Sequence, residues 1–387
     1  MKKILIIGAG RSSASLVSYL LDYAEENNWE VIVGDQHIQA PQERIKGHPN
    51  GRALAFNALD QAEREPLIEE ADLVVSMLPA RFHTLVIEDC ITHSKPCIAP
   101  SYVSKEIKAM EGRIKAAGIP VLMECGLDPG IDHMSAMEVI DRITNQGGKL
   151  MRFESFTGGL VAPESDDNPW NYKFTWNPRN VVLAGQGGAA RFIQEGLYKY
   201  VPYHKLFTRV KPISIEGYGD FEGYANRDSL QYKDVYNLGS IPTIYRGTLR
   251  RAGYSEAWNV FVQLGMTDDS YQVEECSKLT WRTFTNSFLA YSESKPVEQK
   301  LQEYTGASDE VMEKLRWLGM FDDVSIGLES GTPAQILQKR LESKWSLKPG
   351  DKDMIVMWHR FNYELNGEEK EIHSSMVVLG DDEEYTA

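Results

Sequence analysis

The stretch LIIGAGRSSASLVSYLL, residues 5–21, decides the fold of the amino-terminal part of this chain. A short apolar run leads into Gly8 and Gly10, and an apolar pattern with the period of an α-helix follows. This order predicts a dinucleotide-binding turn, because Gly8 allows a tight bend and Gly10 lets a diphosphate approach the backbone. Ser13 occupies the third position, where a small side chain lets the helix pack against the strand.

The pattern of strand and helix continues through the first 125 residues or so. Apolar runs typical of buried strands lie at residues 4–7, 31–33, 73–75, 96–99 and 121–123, with helical patterns between them. Continuous apolar strands that alternate with amphipathic helices indicate a parallel sheet covered by helices on both faces. We therefore expect an α/β protein built on a Rossmann doubly wound parallel sheet.

A second kind of sequence begins near Asp132. Segments rich in aromatic residues, proline and glycine indicate loops between strands, and a helical stretch then precedes two last strands joined by Asn366–Gly367. These changes predict a mixed α+β substrate domain with a helical insertion. The expected boundaries are residues 1–130 for the dinucleotide-binding domain, 131–275 and 346–387 for the substrate domain, and 276–345 for the insertion.

The composition narrows the class of partner. The chain has 387 residues and a formal net charge of −15, which argues against nucleic acid because phosphate backbones bind to basic surfaces. No apolar stretch approaches the ~20 residues of a membrane span. The four cysteines form no CxxC pair and the histidines show no HxxH or HExxH spacing, so we expect reduced thiols and no metal. We expect a cytoplasmic protein with a small-molecule partner. Assembly into a homodimer is left as an open alternative.

One carboxylate decides the expected cofactor. Asp35 ends the second strand, 25 positions after Gly10, where a carboxylate receives the ribose 2′-hydroxyl and repels a 2′-phosphate. The sequence therefore favours NAD over NADP, although Asp35 as an ordinary solvated strand end and Arg11 as a phosphate ligand remain alternatives. The expected cofactor-binding residues come from the glycine turn, the second strand and the SMLPA segment after the fourth strand: Gly8, Gly10, Arg11, Ser12, Ser13, Asp35, Leu78 and Pro79.

Seven segments in order along the chain point to one family. They are PSYVS (100–104), GLDPGIDHM (126–134), GGLVAPE (158–164), NPWNYKFTWNP (168–178), GYANRDS (223–229), RGTLRRAGY (246–254) and KDMIVM (352–357). In these segments the chain resembles saccharopine dehydrogenase of the glutamate-forming type, also called saccharopine reductase. It departs from the family pattern at Val161 and Ala225, where the family usually has proline.

The resemblance implies a reaction of lysine metabolism. Saccharopine would be oxidised at its secondary amine by a nicotinamide cofactor, and the imine would be hydrolysed to L-glutamate and 2-aminoadipate 6-semialdehyde, or the reverse. Such a substrate carries several carboxylates and amines. It is the small-molecule amino-acid partner that we expect.

The chemistry of that substrate suggests which side chains bind it. Carboxylates are often bound by the guanidinium group of arginine through two parallel hydrogen bonds. Arg227 is the first candidate, followed by Arg250 or Arg246. Amines call for carboxylates, which Asp128 and Asp132 could supply. Pairing of Arg227 with Asp228 and helix capping by the two aspartates remain alternatives. The full expected set takes further members from the family segments: Ser101, Asp128, Asp132, Gly158, Gly159, Lys173, Arg227 and Arg250.

Proton transfer suggests the catalytic candidates. Hydride transfer mostly needs alignment of donor and acceptor, whereas imine hydrolysis needs proton transfer and activation of water. His133 has a suitable ordinary pKa, and Asp128 or Tyr102 could shuttle protons instead. A hydrogen-bonded structural role for His133 and a packing role for Tyr102 stay open.

Two other functions fit the same sequence. The first is a related dehydrogenase that joins an amine to an aldehyde, similar to carboxynorspermidine dehydrogenase. The second is a catalytically silent NAD-binding protein. The GYANRDS and GGLVAPE segments favour saccharopine over the first of these.

Overall fold

A computed structural model of the chain describes residues 1–184, 186 and 188–387, which form two compact units. The amino-terminal unit comprises Met1–Glu138 and Glu384–Thr386, and the carboxy-terminal unit comprises Val139–Glu383 and Ala387. The expected division into three domains stays a prediction. Over the described residues, no helix combines the length and the apolar character that a membrane crossing requires.

The amino-terminal unit is built on a parallel sheet. Its strands are β1 Lys2–Ile7, β2 Trp29–Asp35, β3 Gly51–Ala55, β4 Leu73–Ser76, β5 Cys97–Ile98 and β6 Val121–Leu122, in the spatial order β3-β2-β1-β4-β5-β6. The helices are α1 Ala14–Asp22, α2 Ala24–Asn27, α3 Gln39–Ile45, α4 Gln61–Glu70, α5 His83–Thr92, α6 Lys105–Ala109, α7 Glu111–Ala117 and α8 Ile131–Asn145, the last of which continues beyond this unit. All strand pairs are parallel, which confirms the predicted Rossmann sheet.

Strand β1 shows why this sheet is covered on both faces. Leu5 and Ile7 point into one hydrophobic core, and Ile4 and Ile6 point into the core on the opposite face. All four side chains are buried, and each contributes about 1.5–3 kcal/mol by leaving water. A strand with apolar residues on both sides can only be accommodated between two layers of helices, as the sequence predicted.

The carboxy-terminal unit is built on a mixed sheet. Its strands are β7 Lys149–Val161, β8 Ala190–Gln194, β9 Leu197–Val201, β10 Lys211–Ile215, β11 Gly219–Ala225, β12 Thr243–Arg251, β13 Asp353–Leu365 and β14 Glu368–Leu379. The main order is β10-β11-β12-β7-β13-β14, and β8 pairs with β12 and β9. The helices are α9 Pro178–Val182, α10 Tyr203–Leu206, α11 Gln231–Val235, α12 Tyr254–Leu264, α13 Trp281–Ser287, α14 Val297–Thr305, α15 Asp309–Leu318 and α16 Pro333–Trp345. The predicted mixed sheet is thereby confirmed.

Strand β7 lies at the centre of this sheet, parallel to β12 and antiparallel to β13. Its Phe156 ring rests on a glycine of the neighbouring strand β12 and on a glycine of β11, the strand beyond it. A Cβ atom added to Gly247 would lie 2.2 Å from the ring, and one added to Gly223 would lie 2.5 Å from it. At Gly158 an added Cβ would lie 2.4 Å from the carbonyl oxygen of Leu249. These glycines are needed because the core is packed too closely for any side chain.

An aromatic cluster packs the loop after β7 against helices α12 and α16. Trp170 and Trp345 have ring centroids 5.1 Å apart, and Trp258 lies 6.2 Å from Trp345. Tyr172, fully buried, lies 5.1 Å from the same Trp345 ring. Trp170 and Tyr172 are therefore packing residues of the core, whereas Trp176 is 44% exposed.

The close contact at Gly158 leads to a stability prediction. We expect Gly158→Ala to destabilise the protein by about 1–3 kcal/mol, since the new methyl group overlaps the β12 backbone. The midpoint of urea unfolding, followed by tryptophan fluorescence, measures the effect. Gly112→Ala is the control, because a Cβ atom at this position in α7 meets nothing within 4 Å. Equal midpoints for Gly158→Ala and the unchanged protein would contradict the packing argument.

Candidate functional site

The glycine turn after β1 leaves room for a ligand. Gly8 has φ +110°, and a Cβ atom there would lie 3.0 Å from the carbonyl oxygen of Met77. Its amide donates to the carbonyl of Gly34 at 2.8 Å, which holds the turn against β2. A Cβ atom on Gly10 would meet nothing within 4 Å, so the chain leaves open space at this position. The turn therefore needs glycine at Gly8 for conformation and offers unobstructed backbone at Gly10.

Ser13 closes the turn. Its hydroxyl donates to the carbonyl oxygen of Gly10 at 2.7 Å, and its amide donates to the same oxygen at 3.1 Å. Ser13 is buried, whereas Arg11 and Ser12 are exposed beside it. Helix α1 begins at Ala14, directly after the turn. The open backbone followed by the start of a helix fits the diphosphate of a dinucleotide, because amide groups at a helix start attract anions.

Asp35 braces the same turn. One carboxylate oxygen accepts from the amide of Ala9 at 2.8 Å, and the other accepts from the amide of Gln36 at 2.7 Å. The carboxylate therefore has a structural task that does not depend on a ribose. Its presence at the end of β2 cannot by itself select a cofactor.

The SMLPA segment continues from β4. The amide of Met77 donates to the carbonyl of Ile7 at 2.8 Å, which keeps this segment alongside the glycine turn. Leu78 is half-buried and Pro79 is exposed. Their assignment as cofactor-binding residues stays a prediction.

A buried histidine links the ends of two strands. His83 Nδ1 lies 2.9 Å from Ser76 Oγ at the end of β4, and His83 Nε2 lies 2.8 Å from Ser101 Oγ in the loop after β5. The His83 side chain is fully buried, and burial lowers its pKa to about 4. The imidazole is therefore neutral at physiological pH. Sequence reasoning selected Ser101 but missed His83, which lies after the turn that follows β4 and starts α5.

Tyr102 and Asp128 are brought together across two loops. The Tyr102 hydroxyl donates to the Asp128 carboxylate at 2.5 Å. The loop that carries Asp128 is tied by a hydrogen bond of 2.9 Å from the amide of Gly126 to the carbonyl of Pro129. Gly130 has φ +151°, and a Cβ atom there would lie 1.9 Å from the carbonyl oxygen of Gly126. This tight loop fixes Asp128 against Tyr102.

Asp132 and His133 are held by neighbouring groups. The Asp132 carboxylate is buried and accepts from the amide of Gly130 at 2.7 Å. His133 Nε2 lies 2.8 Å from Glu124, and its Nδ1 lies 3.4 Å from Asp132. Glu124 also accepts from the amide of Val103 at 3.0 Å. These contacts give both residues a part in bracing the loops on either side of Tyr102, and their predicted roles in binding and catalysis stay predictions.

In the carboxy-terminal unit, Arg227 lines a cavity of about 230 Å³. Asp228 pairs with Arg191, which lines the same cavity, so the alternative of an Arg227–Asp228 pair is not what the structure shows. Among the residues that the structure describes, the exposed Arg227 guanidinium has no hydrogen-bond or ion-pair partner. It is therefore a cation available for an anionic ligand.

Arg250 is a buried cation on β12. Its Nη1 donates to the carbonyl of Leu249 at 2.7 Å, and its guanidinium lies over the rings of Tyr172 and Tyr254, 5.0 Å and 5.5 Å from their centroids. Burial raises the pKa of both phenols, so these rings stay neutral. Arg246 is also buried and lies 4.1 Å from the centroid of the Tyr232 ring.

Three further predicted residues have structural contacts of their own. Lys173 is buried, and its ammonium lies 2.7 Å from Asp351 and 3.0 Å from Asp167. A Cβ atom on Gly159 would lie 2.9 Å from Thr175 Oγ1, and Gly158 is required by the packing described above. Substrate binding by Lys173, Gly158 and Gly159 stays a prediction. Within residues 1–184, 186 and 188–387, no group of three or more His, Cys, Asp or Glu side chains is placed to hold a metal ion.

The sequence of this chain is similar to those of several named proteins. It is 33% identical over 386 residues to saccharopine dehydrogenase (NADP(+), L-glutamate-forming) of Saccharomyces cerevisiae, covering 97% of this chain and 85% of the yeast protein. It is 32% identical over 383 residues to the Pyricularia oryzae protein of the same name, covering 97% and 84%. It is also 33% identical over 394 residues to the mitochondrial alpha-aminoadipic semialdehyde synthase of Mus musculus. This chain spans only 42% of the length of the mouse relative.

The names of these relatives and the matching family model favour NADP, whereas the sequence analysis expected NAD. The fungal relatives are named for NADP(+), and the family model that matches residues 4–122 is described as the saccharopine dehydrogenase NADP binding domain. The expectation of NAD is therefore wrong. It rested on Asp35 as a ribose ligand, and the bonds of this carboxylate to the amides of Ala9 and Gln36 explain its presence without one.

The rest of the chain matches the same family. Residues 126–387 match the model of the saccharopine dehydrogenase C-terminal domain. The solved structure of apo saccharopine dehydrogenase (L-Glu forming) from Saccharomyces cerevisiae aligns with a TM-score of 0.87 at 30% identity, covering 100% of this chain and 87% of the yeast chain. The glycine turn and the seven segments that pointed to one family are thus explained by common descent, and the chain belongs to the saccharopine dehydrogenase family.

Proposed function

We propose that this chain catalyses the NADP-dependent, glutamate-forming oxidation of saccharopine, or its reverse. The carbon–nitrogen bond on the aminoadipate side is oxidised to an imine, and water then releases L-glutamate and 2-aminoadipate 6-semialdehyde. The observation that carries the proposal is the Tyr102–Asp128 hydrogen bond. This pair lies on loops after β5 and β6, and the glycine turn follows β1, so all three occupy the carboxyl edge of one parallel sheet. Ligands of such sheets bind at that edge.

The cofactor side of the proposal rests on the glycine turn. The backbone amides of Gly10 and Ser12 would hold the diphosphate, with Gly8 and Ser13 shaping the turn through their own hydrogen bonds. The exposed Arg11 beside them would bind the 2′-phosphate. When bound, the nicotinamide ring accepts the hydride that leaves the substrate carbon. The residues of the chain then only need to orient the substrate and move protons.

Asp128 and Tyr102 would move those protons. A secondary amine is protonated at neutral pH and must lose its proton before its lone pair can form the carbon–nitrogen double bond. The Asp128 carboxylate accepts from Tyr102, and it would take the proton of the amine because a carboxylate has about four lone-pair sites. The same pair can take a proton from the water that attacks the imine and return it to the leaving amine.

Arginines would hold the carboxylates of the substrate. Arg227 lines a cavity, and Arg250 is a buried guanidinium packed on tyrosine rings. Within the described part of the chain, Arg250 has no carboxylate partner. A buried cation without an ion pair is costly, so a ligand carboxylate would stabilise this arrangement. In the amino-terminal unit, the Ser101 hydroxyl would donate to a further carboxylate oxygen.

Steady-state kinetics test the function directly. The formation of reduced cofactor is followed by absorbance with saccharopine as substrate, and NADP(+) and NAD(+) are compared. We expect turnover, with the higher kcat/KM for NADP(+). Carboxynorspermidine in place of saccharopine should give no comparable rate. Tight NADP(+) binding without turnover on saccharopine would refute the proposal and leave a non-catalytic binding protein.

Arg227 should bind substrate and not cofactor. We expect Arg227→Ala to raise the saccharopine KM about tenfold to a hundredfold, since a charged hydrogen bond is worth about 1.5–3 kcal/mol, while the NADP(+) KM stays unchanged. The saccharopine KM of Arg227→Lys should lie between those of the unchanged protein and Arg227→Ala. Lysine keeps the positive charge but cannot form the two parallel hydrogen bonds that a guanidinium gives to a carboxylate. Arg316→Ala is the control, since this arginine is exposed on α15 of the same unit. Loss of NADP(+) affinity with an unchanged saccharopine KM would contradict the assignment.

Tyr102 should act on the chemical step. We expect Tyr102→Phe to lower kcat by about ten- to a hundredfold while the saccharopine KM changes little, because a proton-transfer group is lost and the ring is kept. Tyr19→Phe is the matched control, because Tyr19 is 59% exposed on α1 of the same unit. An unchanged kcat in Tyr102→Phe would show that the phenol takes no part in proton transfer.

A further inference from the structure

We propose that His83 is a positioning residue that turns the hydroxyl hydrogen of Ser101 toward a carboxylate oxygen of the substrate. This inference rests on the proposed function, because it takes Ser101 as a substrate ligand. It adds His83, a residue that the sequence did not indicate. It also assigns a donor and an acceptor to each of the two hydrogen bonds that join Ser76, His83 and Ser101.

The three side chains form one continuous relay. His83 starts α5 and is fully buried, with Ser76 Oγ 2.9 Å from Nδ1 and Ser101 Oγ 2.8 Å from Nε2. Ser76 ends β4 and is also fully buried, whereas Ser101 is half-buried next to Tyr102. The relay therefore runs from the interior to the carboxyl edge of the sheet.

The neutral imidazole can donate from one nitrogen only. It donates to one serine and accepts from the other, and the neighbours decide which. Both partners are uncharged hydroxyls, so neither favours an imidazolium by its charge. Burial in this position keeps the ring neutral.

Ser76 decides the direction. Its hydroxyl hydrogen has no access to water, and in the described part of the chain His83 Nδ1 is its side-chain partner. A buried hydroxyl that donates to nothing costs about 1–3 kcal/mol. Ser76 therefore donates to Nδ1, and the ring proton of His83 lies on Nε2.

The consequence falls on Ser101. Since His83 Nε2–H donates to Ser101 Oγ, the hydrogen of the Ser101 hydroxyl is left for another acceptor. Carboxylate oxygens only accept hydrogen bonds, so a serine whose hydroxyl hydrogen is left for a ligand suits a carboxylate. In this way a buried residue without substrate contact favours a hydrogen-bond acceptor as the group that Ser101 binds.

Two amide substitutions separate positioning from simple packing. The Gln side chain of His83→Gln reaches the place of Nε2 and can donate to Ser101, whereas that of His83→Asn reaches only the place of Nδ1 and Ser76. We expect His83→Asn to raise the saccharopine KM about tenfold, with kcat and the NADP(+) KM nearly unchanged. His83→Gln should restore the KM to within about threefold of the original value.

A double-mutant cycle gives the second readout. Ser101→Ala should raise the KM at least as much as His83→Asn, and the double variant should match Ser101→Ala alone, because both changes remove one hydrogen bond. Additive effects would overturn the inference, and so would equal KM values for the Asn and Gln variants. If the unchanged protein turned over no saccharopine, the proposed function would fail instead.

The tautomer can be read without any turnover. Selective ¹⁵N labelling of histidine, with the His83 signals assigned by their loss in His83→Gln, reports which ring nitrogen carries the proton. We expect a neutral ring at pH 7 with the proton on Nε2. A proton on Nδ1, or an imidazolium, would overturn the inference whatever the kinetics show.

Discussion

The parallel hydrogen bonding of β1, β4, β5 and β6 is the constraint on which the amino-terminal site depends. Parallel strands end at the same edge, so the glycine turn, the SMLPA segment and the loops with Tyr102 and Asp128 are brought together although up to 120 positions separate Gly8 from Asp128. Each loop is then fixed by a contact to a neighbour: Asp35 to the turn, His83 to Ser101, and Tyr102 to Asp128. Loss of the strand register would separate all of these groups at once.

The carboxy-terminal unit distributes its charges in a different way. Lys173 is buried and is compensated by two carboxylates, and Asp228 is compensated by Arg191. Charges paired in this way are not available to a ligand. Arg227 and Arg250 differ in that the described contacts give neither of them an acidic partner. The contrast within one unit is what makes these two arginines the strongest candidates for the carboxylates of an acidic substrate.

Much of this architecture could be predicted from the sequence because its signals are local. The apolar run at 4–7, the glycines of the turn and the alternation of strands and helices gave the parallel sheet, and the family segments gave the saccharopine dehydrogenase resemblance. Long-range contacts leave no such signal. The hydrogen bond from Ala9 to Asp35 was invisible, so a bracing carboxylate was interpreted as a ribose ligand and NAD was wrongly expected. His83 was missed for the same reason, since its two serine partners lie 7 and 18 positions away, one at the end of β4 and the other in the loop after β5.

Burial explains why the relay through His83 can be directional. An imidazolium would donate from both nitrogens and leave the hydrogen of the buried Ser76 without its acceptor. Full burial removes that state, and the enclosed serine then selects one of the two neutral tautomers. The Ser101 hydroxyl at the edge of the sheet is thus an oriented hydrogen-bond donor that carries no charge. An oriented hydroxyl hydrogen suits a ligand group that accepts hydrogen bonds, such as a carboxylate.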